Sequence, residues 1–327
     1  MRVLVTGGAG YVGSHACKAL EAAGYEPVVF DNLRTGHRWA VQWGPFVHGD
    51  ICDTNAVRRA IKDYEINAVM HFAALAYVGE SVEKPALYYR NNVGGLVSIL
   101  EAMTETGVGK IIFSSTCAVY GIPPKVPITE DVPCAPINPY GHSKLMCEQV
   151  LADHAAAHNI GSVALRYFNA AGADEDGELG EAHNPETHLI PLVLEVAAGQ
   201  REKIDIFGDN YPTPDGTCIR DYIHVADLAA AHIAALKQCK PGHAEKYNLG
   251  TGAGFSVREI IEAAEKVSGR NINVEVADRR PGDPPALVAD PALARSTLLW
   301  DCKQSELETL IGSAWRWLNR SNSASAL

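Results

Sequence analysis

Through the first half of the chain, short apolar runs alternate with longer stretches whose apolar positions recur at helical spacing. The runs at Val3–Thr6, Pro27–Phe30, Ala68–Phe72, Lys110–Ser114 and Ser162–Arg166 read as strands buried on both faces. Between them, Gly13–Ala23, Ala56–Tyr64, Ala86–Thr106 and Pro139–Asn159 read as helices. A strand, a helix, then a parallel strand is the repeating unit of a doubly wound α/β sheet, covered by helices on both faces. Ligands of such sheets sit at the carboxyl ends of the strands.

After Asn169 the rhythm breaks. Residues 172–187 are rich in Gly, Asp, Glu and Pro and read as a long loop before a helix at Leu189–Gly199. A second Pro/Gly-rich loop, Gly208–Gly216, precedes Arg220-Asp221-Tyr222-Ile223-His224. From residue 243 on, short strands mix with helices at Val257–Ser268 and Ser305–Asn319, and Ser321–Leu327 reads as a frayed end. The division expected is a dinucleotide-binding domain over 1–169, with part of 220–250 packing back onto it. A smaller, mixed α/β C-terminal substrate domain would span 170–327.

Two patterns place chemistry on this frame. Gly7-x-x-Gly10-x-x-Gly13 follows the first strand and opens the first helix, the context in which such glycines bind a dinucleotide pyrophosphate, and it makes the sheet Rossmann-type. Asp31 ends the second strand about 20 residues on, where a carboxylate binds an adenosine ribose 2′-hydroxyl and repels a 2′-phosphate. That favours NAD, although Arg34 and Arg38 close by keep NADP open. Asp50-Ile51 would reach the adenine, and Phe72-Ala73-Ala74 closes the fourth strand; both also read as simple strand-end packing.

The second pattern is Tyr140-Gly141-His142-Ser143-Lys144. Tyr and Lys at i and i+4 share one helix face. A free phenol has a pKa of about 10, and a nearby ammonium brings it toward the working range of a general base. Alone, such a pair is as easily a surface coincidence. After a dinucleotide fingerprint, it points to removal of a hydroxyl proton while hydride leaves the same carbon.

Composition narrows the partners. The net charge of −11 argues against nucleic acid, which needs clustered Lys and Arg. No apolar run is long enough to span a bilayer, and Met1-Arg2-Val3-Leu4-Val5 goes straight into a strand, so a cytoplasmic protein without a membrane partner is expected. The eight cysteines are scattered and the twelve histidines dispersed, so free thiols and no metal are expected.

Over nearly its whole length the chain resembles the extended short-chain dehydrogenase/reductases, and among them the nucleotide-sugar 4-epimerases. The resemblance rests on GGAGYVGSH at 7–15, DNL at 31–33, HFAA at 71–74, VGESV at 78–82 and NNV at 91–93. It continues with SSTCAVYG at 114–121, NPYGHSK at 138–144, LRYFNAAGA at 165–173, DGTCIRDYIHV at 215–225 and RRPGD at 279–283. The resemblance implies that Tyr140 is the base, that Lys144 binds the nicotinamide ribose and lowers the tyrosine's pKa, and that Thr116 hydrogen-bonds the reacting O4. It implies NAD contacts from Gly7, Gly10, Tyr11, Val12, Gly13, Asp31, Asn32, Leu33, Asp50, Ile51, Phe72, Ala73, Ala74, Asn91, Ser114 and Phe168. It places Asn169, His188, Leu189, Phe207, Arg220, Arg280, Asp283 and Leu287 around a UDP-sugar. A homodimer is implied as well. The acids at 50, 221 and 283 otherwise read as surface carboxylates.

Three departures bear on the sugar. Ala76 stands where glucose/galactose epimerases carry a lysine, His188 where a sugar-contacting asparagine is usual, and Leu287 where some members place an aromatic. Related dehydratases carry an Asp-Glu pair directly after the strand-end threonine, and here Cys117-Ala118 stands instead. Neither serves as acid or base at neutral pH. The expected reaction is therefore oxidation at C4 and re-reduction from the other face, interconverting UDP-glucose and UDP-galactose or their N-acetylated or pentose counterparts. Another UDP-sugar oxidoreductase or decarboxylase, and a redox-sensing binding protein on the same fold, are the alternatives.

Overall fold

A computed structural model of the chain describes residues 1–280 and 282–324. Six of its strands follow in chain order: β1 (Arg2–Thr6), β2 (Glu26–Asp31), β3 (Phe46–His48), β4 (Ala68–His71), β5 (Lys110–Thr116) and β6 (Gly161–Tyr167). With a seventh, Ala244–Leu249, they form a fully parallel sheet in the spatial order seventh, β6, β5, β4, β1, β2, β3. The order reverses between β1 and β4, and the crevice at that switch is where a doubly wound sheet receives its ligand. Helices α1 (Tyr11–Ala22) and α8 (Val225–Gln238) border the core cluster containing Val3, Val5, Met70 and Leu228. On the other side α2 (Thr54–Asp63), α5 (Gly95–Thr106) and α6 (Pro139–His158) border the cluster of Leu4, Val69, Leu100, Phe113 and Leu151. Successive β1 residues Leu4 and Val5 thus fall in different clusters, as alternation on a two-faced sheet requires.

The helix expected over Ala86–Thr106 is broken. After α3 (Val78–Glu83), α4 covers only Pro85–Tyr88, a π-helical turn runs Tyr89–Gly94, and α5 follows. Two adjacent glycines, Gly94 and Gly95, weaken helical continuity there. Asn92 is drawn inward to bond the segment after β4, which the wider turn permits.

Beyond Asn169 the remaining helices are α7 (Leu189–Ala197), α9 (Val257–Ser268), α10 (Ala292–Leu298) and α11 (Leu307–Ala324). The stretch read as a frayed end is helical through Ala324, and 325–327 lie outside the described residues. Short strands pair Asn169–Ala171 with Tyr222–His224, and Ile204–Phe207 with Val274–Ala277. Ile219–Arg220 lies between Phe255–Ser256 and Ala286–Leu287. Among the described residues no helix is long and apolar enough to cross a membrane.

Candidate active site

Asn138 begins the helix that carries Tyr140 and Lys144. Its side chain accepts the Gly141 N–H at 2.9 Å, and Pro139 fills the first helical position, where a missing N–H loses nothing. Tyr140 and Lys144 then stand one turn apart. Gly141 allows this helix to approach the end of β5, because a Cβ there would lie 2.7 Å from the Ala118 carbonyl oxygen. Lys144 is buried; its Nζ donates to the Ser114 carbonyl at 2.8 Å and lies 4.8 Å from the Phe113 ring centroid. Tyr140 is half-buried beside Thr116, the last residue of β5.

Burial is the largest influence on the Tyr140 phenol. Burial pushes the Tyr140 phenol up to about 12, and the Thr116 hydroxyl offsets only part of that. Burial also lowers Lys144 to about 8. The ammonium is directed to the Ser114 carbonyl and is not among the charges that move the phenol. Spacing alone brought the two residues to one face; where the cation's hydrogen bond goes is set by the strand beside it.

The other half of the cleft lies over β1 and β2. Gly7 adopts φ +75°, and a Cβ there would sit 2.5 Å from the Ala73 nitrogen, so the turn after β1 touches the Phe72–Ala74 segment after β4. Gly10 precedes α1 without a side-chain cap, and no acid occupies the first turn with Tyr11, Val12 and Gly13. Those free N–H groups at a helix N-terminus suit a pyrophosphate. The Tyr11 hydroxyl donates to the Gly172 carbonyl at 2.5 Å. Asp31 is buried, accepting from the Ala9 N–H at 3.1 Å and the Leu33 N–H at 2.8 Å. Burial raises its pKa, and these N–H groups work against that. Each carboxylate oxygen retains a lone pair for a ribose hydroxyl.

Asn32 donates to Asp50 at 3.1 Å, while Arg38 stacks on Phe46 at 4.8 Å. The Ile51 side chain packs in the core under Gly95, so any adenine contact of Ile51 is through its backbone. Asn91 leans on Asn92 at 3.0 Å within the π turn. Phe72 packs 4.6 Å from the His232 ring, and Ser114 shares a hydrogen bond with Tyr167. Together the glycine cradle, the free helix end and the buried Asp31 fit a dinucleotide.

Facing these groups, Asn169 donates to the Asp221 carbonyl at 3.0 Å, and Phe168 is buried with Cys117 and Tyr120. Leu287 packs against that cluster and pairs in register with Arg220. Arg220 donates to the Ile219 and Pro284 carbonyls at 2.9 Å and lies 3.6 Å from Asp283. Arg280 lies over the Phe207 ring at 3.7 Å. Leu189 opens α7. His188, just before it, is directed to Glu181 at 2.8 Å and Glu186 at 2.9 Å. Cys117 is buried and its thiol pushed up to about 12, with Arg220 opposing the shift.

A family model for the NAD dependent epimerase/dehydratase family matches residues 3–250. The chain belongs to that family. It is 49% identical to a UDP-glucose 4-epimerase of Rhizobium meliloti (strain 1021) over 98% of both chains. A solved UDP-glucose 4-epimerase from Brucella ovis in complex with NAD is 54% identical, with a TM-score of 0.93 over 96% of this chain and 97% of that one. A UDP-glucose 4-epimerase from Stenotrophomonas maltophila, with bound NAD and formylated UDP-arabinopyranose, is 39% identical with a TM-score of 0.95, covering 99% of each chain.

For this member of the family, some supporting residues escaped the sequence reading. Asp221 is no surface acid: it is fully buried and accepts bonds from Thr251, Gly252 and Ala289. Glu148 lies behind Thr116, bonded to Ser115 at 2.6 Å and paired with buried Arg166. Asn92 donates to Ser143 at 3.0 Å, and Ser143 in turn donates to the Tyr140 carbonyl at 2.7 Å. The second asparagine of the 91–93 motif and the serine between Tyr140 and Lys144 were the available signals.

Proposed function

We propose that this epimerase-family chain is an NAD-dependent nucleotide-sugar 4-epimerase interconverting UDP-glucose and UDP-galactose. The observation that carries the reading is the meeting of Thr116, Tyr140 and Lys144 at the end of β5, beside the glycine cradle, with Cys117 and Ala118 directly after Thr116. Asp31 and the Gly7–Gly13 turn would hold NAD, which when bound supplies a hydride acceptor and a cationic nicotinamide. Lys144 would donate to the nicotinamide ribose. Thr116 would hydrogen-bond O4 while Tyr140 takes its proton as C4 is oxidised. Tyr140 then returns a proton when C4 of the 4-keto sugar is reduced from its other face.

Elimination has no support from Cys117, a buried thiol held neutral, or from Ala118. Arg220 and Arg280 would grip the diphosphate, since guanidinium forks suit phosphate oxygens. Asn169, Leu189, Phe207 and Asp283 would enclose the rest of the UDP. The aliphatic Leu287 opposite Arg220 leaves room beside the sugar, which favours acceptance of N-acetylated or pentose forms. Residues 1–169, with the returning segment of 220–250, would form the NAD unit, and 170–327 the nucleotide-sugar unit. A cytoplasmic homodimer is part of the same proposal; a monomer mass by light scattering would count against it.

The test is to incubate the purified protein with UDP-glucose, UDP-N-acetylglucosamine and UDP-xylose and follow the products by NMR. A C4 epimer supports the reading. Loss of water or carbon dioxide, or no reaction with any of the three, overturns it.

A further inference from the structure

Away from the reacting groups, four side chains from one loop converge on a common point. Glu181, His183, Glu186 and His188 bring one ligand atom each within 4.8 Å of one another. Glu181 Oε1 lies 3.0 Å from His183 Nδ1 and 2.8 Å from His188 Nδ1. Glu186 places Oε2 3.5 Å from the first nitrogen and Oε1 2.9 Å from the second. Four atoms bonded tetrahedrally to one ion at about 2.0–2.1 Å stand about 3.3 Å apart, so the Glu181 oxygen would move a few tenths of an ångström outward from the two nitrogens to admit one.

The two carboxylates are only 8% and 10% exposed and face His183 and His188, whose pKa values, despite burial, they raise to about 9 and about 10, so an ion bound here would take over charge balance from two protonated imidazoles. His183 Nδ1 is shielded from solvent and makes no aligned hydrogen bond, despite lying 3.0 Å from a carboxylate oxygen. A neighbouring cluster shows the contrast. Asp174, Asp176 and Glu178 surround Lys18 Nζ, each at 2.8 Å, so that cluster already holds its cation.

We propose that Glu181, His183, Glu186 and His188 form a structural site for one divalent transition-metal ion, for which Zn²⁺ is the best match. Binding would release the protons of both imidazoles, leaving two carboxylates and two neutral imidazoles with a charge of −2, which such an ion cancels. Four protein ligands close the coordination sphere, as in structural rather than catalytic zinc sites. Mixed imidazole and carboxylate donors suit zinc better than magnesium or calcium, which prefer oxygen alone.

The ion would fasten a loop that already touches the dinucleotide side of the cleft. His37 bonds the Ala182 carbonyl at 2.6 Å, Tyr77 bonds the Pro185 carbonyl at 3.2 Å, and the His183 ring meets Tyr11 edge-on at 6.2 Å. α7 starts directly after His188. The site therefore joins the cover of the α1 N-terminus to the start of α7, and it commits His188 to the ion rather than to the sugar.

The test uses untagged full-length protein, stripped with EDTA, dialysed against Zn²⁺ and analysed by inductively coupled plasma mass spectrometry. We expect close to one zinc per chain and a higher melting temperature than for the stripped protein. Glu186→Gln and His183→Ala should each weaken zinc binding at least tenfold, whereas Asp176→Asn, in the Lys18 cluster, should leave it unchanged. On the unsubstituted protein, Co²⁺ should give the visible absorption of a tetrahedral site, bleached by added Zn²⁺. Absence of saturable zinc binding by the stripped wild-type protein, or equal loss in Asp176→Asn, overturns the proposal. A ring of shared protons among the same four residues would give that negative result.

Discussion

Burial acts on Tyr140 and Lys144 in opposite chemical senses but to the same end: both charged forms are disfavoured. The phenol sits at about 12 and the ammonium at about 8. A phenol held that high stays protonated in the protein alone. An adjacent positive charge, such as the nicotinamide of bound NAD, is what would draw the value down. Tyr140→Phe keeps the ring and its packing and deletes the acid–base group. Its kcat should fall by roughly 10²–10⁴-fold, with the unfolding midpoint little changed. A Phe variant retaining more than about a tenth of wild-type kcat, measured by coupled assay or NMR, would remove Tyr140 from the role of base. The residues themselves were legible from the i, i+4 spacing after a glycine fingerprint. Their proton affinities were not, because those depend first on burial, which is set by how the helix packs on the sheet.

Among elements, the break between α4 and α5 supports the catalytic helix. Asn92 accepts the Leu75 N–H at 2.9 Å and donates to the Leu75 carbonyl at 3.0 Å and to Ser143 at 3.0 Å. One buried amide thus fastens the end of β4 to α6. Asn92→Ala leaves two buried backbone groups unpaired, at roughly 1–3 kcal/mol each, so the variant should lose about 2–6 kcal/mol in denaturant unfolding. Its kcat should fall too, since Ser143 and the Tyr140 carbonyl lose their anchor. A loss below about 1 kcal/mol would show that water replaces the amide. Periodicity could not reveal this break, because apolar positions continue through residues 86–106 as in an unbroken helix. Five of the seven sheet strands were readable to within two residues because both their faces are apolar, whereas the partly exposed edge strands Phe46–His48 and Ala244–Leu249 were not read. The buried role of Asp221 was not, because its partners Thr251, Gly252 and Ala289 lie 30 to 68 residues away.

At the scale of the whole molecule, three buried histidines make stability depend on pH. Burial lowers His15 and His232 to about 4 and His71 to about 3. Their folded values lie below the ordinary 6.5 or so, so the unfolded chain takes up protons first as pH falls. Their contribution is fully present above about pH 6.5 and is lost as pH drops toward 4. At pH 5 each accounts for roughly 2 kcal/mol of that loss. Denaturant unfolding at pH 7 and pH 5 should show the decline. His232→Leu, which removes a buried ring nitrogen without a partner, should shrink it by about 2 kcal/mol. An unchanged decline in that variant would place the proton uptake elsewhere.

The seventh strand has a consequence for how the chain can be cut. Ala244–Leu249 pairs along the whole of Ser162–Tyr167, yet some 75 residues of the other half are synthesised before it. A fragment ending near residue 169 would carry nearly all the dinucleotide-binding side chains, but β6 would then be a bare edge with unpaired N–H and C=O groups. Bare edges recruit other strands. Such a fragment should emerge as aggregate, and adding back residues 225–250 as a tethered segment should keep it in solution.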